Sequence, residues 1–118
     1  MNLTKQNPAP SHLKAPTKKW WRAVTDEFDL EPHHLRLLQL AAEAWDSAQA
    51  ARAVIQTEGM TFVDRFGSPR ARPEVGIERD SRLAFARLVR ELDLDCAPPS
   101  STPRPPALNS NRRAANAR

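Results

Sequence analysis

The sequence predicts a mainly α fold: three helices, a small β-hairpin between the second and third, and a disordered basic tail at each end. Three observations predict it. Apolar residues recur at three- and four-residue spacing in three windows. A single interruption, EGMTFVDRFGSPRARP from Glu58 to Pro73, combines a helix stop, strand formers, a turn and a helix restart. Both ends are rich in proline and carry no acid. The expected organisation is a disordered basic arm over 1–16, a helical oligomerisation body over 17–96 with the hairpin at 60–72, and a disordered Pro-rich basic tail over 97–118.

The first helix is expected from about Thr17 to Phe28, with Thr17 as its cap after Pro16. Trp20, Val24 and Phe28 recur every four residues, with Trp21 beside them, which makes an amphipathic face. Two Trp on a short helix read first as core or interface anchors, and only second as platforms for stacking bases.

The second helix is expected from Pro32 to about Glu58. Glu31 is its cap, Pro32 suits its first turn, and Leu30 and Leu35 stand at hydrophobic-staple spacing. It carries two stripes. Leu35, Leu38, Ala42 and Trp45 form one. Leu37, Ala41, Ala44, Ala48, Ala51 and Ile55 form the other, whose small side chains let another helix approach closely. With only two other helices to cover them, the first stripe is assigned to the subunit core and the second to a neighbouring subunit.

Gly59 ends this helix, because a left-handed conformation costs glycine little. Thr61, Phe62 and Val63 favour a strand, Phe66-Gly67-Ser68-Pro69 turns the chain, and Arg70, Ala71 and Arg72 return it. Pro73 opens the third helix, expected to reach Leu94 with Ile77, Ser81, Phe85, Leu88 and Leu92 inward. Glu78 and Arg82 stand at i,i+4 in the favourable order.

Charge is unevenly placed along the 118 residues. Residues 1–22 carry Lys5, Lys14, Lys18, Lys19 and Arg22 and no acid, giving +5. Residues 97–118 carry Arg104, Arg112, Arg113 and Arg118 and no acid, giving +4. Residues 23–96 hold nine Arg and all fourteen Asp and Glu, giving −5. Basic ends around a mildly acidic body point to a polyanion partner, or to tails that only confer solubility.

No arrangement for catalysis is legible. The three glycines, Gly59, Gly67 and Gly76, form no phosphate-cradling loop or dinucleotide fingerprint. His33 and His34 are adjacent and point to different helix faces, while His12 and Cys96 are remote, so no zinc site is expected. Glu74, Glu78 and Asp80 are interleaved with Arg79 and Arg82, which fits salt bridges better than a magnesium cluster. Neither Ser-His-Asp nor Cys-His is identifiable. The expectation is a non-enzyme with no cofactor, no metal and no small-molecule substrate. A lone Cys excludes an intrachain disulfide and fits a reducing cytoplasm. No apolar run reads as a signal peptide or a membrane span.

The runs WWRAVTDEFDLEPHHLRLLQLAAEAWDSAQAARAVI and MTFVDRFGSPRARPEVGIERDSRLAFARLVRELDLD resemble the small terminase subunit of tailed bacteriophages, in its helix–hairpin–helix branch. The resemblance spans about Ala15 to Pro99. It lies in the Trp-Trp pair, the Pro-His-His-Leu-Arg-Leu-Leu helix start, the Asp-Arg-Phe-Gly-x-Pro hairpin tip and the Glu-Arg-Asp-x-Arg third helix. Arg72 departs from it, standing where many members carry His before the proline. The resemblance implies a non-catalytic, ring-forming subunit in the host bacterial cytoplasm. Such a subunit recognises double-stranded viral DNA and engages a large subunit that carries the ATPase and nuclease. Residue roles do not transfer individually, so the candidate DNA contacts come from charge. They are Lys14, Lys18, Lys19, Arg22, Arg112, Arg113 and Arg118, with Arg65, Arg70 and Arg72 on the hairpin second. Two other functions fit the same charge pattern. One is a small DNA-binding regulator, disfavoured because no compact helix-turn-helix is visible. The other is a structural adaptor without direct DNA contact.

Overall fold

The computed structural model describes residues 7–94. It contains three helices, α1 (Ala15–Glu27), α2 (Pro32–Glu58) and α3 (Pro73–Leu92). Two strands, β1 (Thr61–Val63) and β2 (Pro69–Ala71), lie between α2 and α3. The fold class is therefore the one expected from the sequence. The strands pair antiparallel, with Thr61 opposite Ala71, Phe62 opposite Arg70 and Val63 opposite Pro69. Among the described residues no helix is long and apolar enough to cross a membrane.

The N-terminal boundary differs from expectation. Part of the supposed arm packs on the body: Leu13 is buried, Ala9 lies against the same core cluster, and Trp21 Nε1 donates to the Asn7 carbonyl at 2.7 Å. α1 starts two residues early, with Pro16 in its first turn and Lys14 at the cap position. Thr17 is a buried helical residue rather than the cap. Its hydroxyl donates to Asp46 Oδ1 at 2.6 Å, while the Lys14 amide donates to Asp46 Oδ2 at 2.9 Å. A carboxylate of α2 thus satisfies the start of α1, the work assigned by sequence to a local side chain. The inward residues of α1 are Thr17, Trp21 and Val24. Trp20 stands to one side, against Phe85 at a ring-centroid distance of 5.8 Å. Phe28 follows the helix and donates its amide to the Val24 carbonyl.

The core is small. Leu13, Trp21, Val24, Leu38, Ala42 and Leu92 form its buried cluster, and Leu38 and Ala42 have no exposed surface. α2 makes its most extensive contact with α3. Glycine ends α2 as expected, with Gly59 at φ +90°. In α3, Leu92 is buried and Phe85 and Leu88 are half-buried, but Ile77 is 46% exposed, outside the inner face expected for it.

The hairpin turn begins earlier than its glycine suggests. Asp64 Oδ1 accepts the amides of Phe66 and Ser68 at 2.8 and 2.9 Å, and Asp64 Oδ2 accepts Arg70 Nε at 2.9 Å. Its own amide donates to the Ser68 carbonyl. One aspartate therefore folds the tip, as short polar side chains do when they mimic a backbone turn. Gly67 supplies the positive φ, +82°. Pro69 belongs to β2 rather than to the turn, and Arg72 is the cap residue of α3 rather than a strand residue.

Candidate nucleic-acid interface

Burying Trp21 and Val24 turns the opposite side of α1 outward, and that side is basic. Lys14, Lys19 and Arg22 are exposed and Lys18 is half-buried. Lys18 and Arg22 stand four residues apart on the helix with Lys19 alongside, and Lys14 precedes them at the cap position. No ion pair among the described residues engages any of the four side chains. A row of unpaired cations on a rigid helix suits backbone phosphates, which set position without reading sequence.

The hairpin arginines are not equivalent to these. Arg70 is held by Asp64 in a 2.9 Å ion pair. That pairing, after the Ser68 amide and before the Phe66 amide, keeps the Asp64 carboxyl below its usual range. Arg72 is half-buried, lies over the Phe62 ring and donates Nη2 to the Glu58 carbonyl, so it ties the hairpin base to the end of α2. Its Nε is buried with no partner among the described residues. Arg65 lies over the Phe66 ring, is exposed and makes no ion pair among the described residues. Arg112, Arg113 and Arg118 lie outside the described residues, as do Lys5 and Cys96.

The alanine stripe, expected to face a neighbouring subunit, is largely covered within the single chain. Ala41, Ala48 and Ala51 are buried within the single chain, and Leu37, Ala44 and Ile55 are half-buried. Small side chains allow a close helix approach, and α3 of the same chain takes that place. The unburied apolar surface is elsewhere, above all on the hairpin. Phe66 is 76% exposed, Val63 68% and Met60 62%, and every residue of both strands is exposed. Sequence reading missed this surface because alternation in a three-residue strand does not show which face, if either, is covered.

Among the described residues no three His, Cys, Asp or Glu side chains come together as a metal-ligand set. The His33 and His34 rings lie 4.1 Å apart, Glu78 is paired with Arg82, and Asp80 with Arg79. His12 instead contacts Glu43 at 2.8 Å. Gln39 and His12 together hold the Glu43 carboxyl below its usual range, Gln39 contributing more.

No family model, curated protein or solved structure matches this chain.

Proposed function

We propose that this chain is the small subunit of a viral DNA-packaging terminase. It is a non-catalytic, ring-forming protein of the host bacterial cytoplasm that binds double-stranded viral DNA and engages an ATPase/nuclease large subunit. The observation that carries the DNA part is the unpaired basic row Lys14, Lys18, Lys19 and Arg22 on the outer side of α1. The order of motifs, from Trp-Trp through Pro-His-His-Leu to Asp-Arg-Phe-Gly-x-Pro, supports the family reading. Self-association now rests on the exposed hairpin rather than on the alanine stripe. Phe66, Val63 and Met60 expose large apolar side chains of the kind that mark a protein contact. An isolated two-stranded hairpin is also marginal alone and gains from being covered.

Duplex DNA titrations at several salt concentrations test the reading. Affinity falls as salt rises, because each neutralised phosphate releases counterion. Reversing Lys19 and Arg22 to Glu weakens binding and flattens the slope of log affinity against log salt by about 2, at roughly 0.9 per phosphate contact. Salt-independent binding, or a slope that the double reversal leaves unchanged, removes the α1 row. Binding that also survives removal of residues 104–118 moves the DNA contact to the hairpin arginines, and no binding at any salt concentration favours the adaptor function, with the apolar hairpin as its contact.

A further inference from the structure

Besides the basic row, α1 contributes to an aromatic groove. Pro16, Thr17 and Trp20 from α1, Trp45 from α2 and Phe85 from α3 line a recess of about 300 Å³. Phe85 is its centre, with ring centroids 5.8 Å from Trp20 and 5.1 Å from Trp45. Trp45 is 43% exposed although all three helices converge on it. Trp21 donates its indole N–H to Asn7. Trp20 and Trp45 donate theirs to no described residue. The groove thus offers three aromatic side chains, and the Trp20 and Trp45 indoles have no acceptor among the described residues.

We propose that this groove binds the chain's own proline-rich C-terminal segment, residues 98–106. Polyproline segments carry fully available carbonyls and flat pyrrolidine faces, and aromatic-lined grooves are their usual seat. The chain continues 24 residues past Leu94, with Pro98, Pro99, Pro103, Pro105 and Pro106 among them. Leu94 packs against the core cluster, so the exit point is fixed on the body. Phe85 lies nine positions earlier on α3, roughly 14 Å of helical rise. Nine extended residues beyond Leu94 reach about 28 Å, which is ample. Pro8 and Pro10 flank Trp21 in a second recess, and a carbonyl of the same stretch accepts its indole N–H.

The test uses the full chain labelled with 5-fluorotryptophan, whose three ¹⁹F resonances report Trp20, Trp21 and Trp45 separately. Substituting Pro103→Ser, Pro105→Ser and Pro106→Ser together should shift the Trp20 and Trp45 resonances and leave Trp21 in place, with the helical circular dichroism retained. Unchanged Trp20 and Trp45 resonances would overturn the proposal and leave the groove to another chain. A movement of all three resonances equally would also overturn it, since that reports a general change of the body. The labelled triple variant is then mixed with unlabelled Trp45→Ala chain, which has an intact tail and an altered groove. Resonances that stay shifted support an intrachain seat. Their return to the original positions shows a segment supplied by a second copy and contradicts the intrachain assignment. This outcome is independent of DNA binding, so it separates from the function proposed above.

Discussion

The Thr17 hydroxyl lies 2.6 Å from Asp46 Oδ1, and this contact, with the Lys14 amide on the other oxygen, fixes the start of α1 to the middle of α2. Together with Trp21 and Val24 packed in the core beside Leu38 and Ala42, this carboxylate orients the helix that carries the basic residues. Asp46→Ala leaves a buried hydroxyl and a helix-start amide without acceptors, which costs about 2 kcal/mol. Thr17→Val removes the donor but keeps the shape and costs less, about 1 kcal/mol. Urea unfolding of both variants checks the order; an Asp46→Ala protein as stable as wild type contradicts it.

Ala48→Glu distinguishes a core stripe from a subunit contact. Ala48 is buried in the single chain, so the glutamate would enter the interior unpaired at a cost of several kcal/mol. The expected result is loss of cooperative thermal unfolding. Ala53→Glu, on the exposed side of the same helix, should change stability by no more than about 0.5 kcal/mol. A folded Ala48→Glu protein that merely dissociates would restore the stripe to the interface.

Acid should loosen the hairpin tip late. The Asp64 carboxyl is held below its ordinary value by the Ser68 amide, Arg70 and the Phe66 amide. A lowered value in the folded state means the contribution is full above the unfolded value and is lost as pH falls through the folded one. The amide resonances of Phe66 and Ser68 should therefore titrate together with a midpoint below about 3.9, the usual aspartate value. Asp64→Asn should abolish that titration. A midpoint above the usual value would contradict the observed hydrogen bonds.

Phe66→Ser and Val63→Ser should weaken self-association without unfolding the body. Both side chains are mostly exposed in the single chain, so little intrachain burial is lost. Smaller particles in sedimentation, with helical circular dichroism retained, are the expected outcome. Unchanged particle size would exclude the hairpin as the contact between copies.

The helices and the hairpin were legible because their signals are local. Pro32 and Pro73 open helices, Gly59 closes one, and Thr61–Val63 favour a strand. What escaped the sequence depends on distant partners. Thr17 is a good local cap, but Asp46, 29 positions away, takes its hydroxyl as a donor. The alanine stripe signals a close helix approach without saying whose helix arrives, and α3 of the same chain arrives first. The N-terminal prolines signal a lack of regular structure, yet Leu13 is buried there and Trp21 donates to the Asn7 carbonyl. The basic row on α1 was visible as charge. Its freedom from ion pairs was not, because that depends on where Asp46 and the other acids fold.

Assembly is the most direct test of a ring-forming packaging subunit. Light scattering after gel filtration of the full chain at micromolar concentration measures it in one step. The expected result is a single species whose mass is many multiples of the 13.2 kDa chain. A monomer or dimer under those conditions would contradict it.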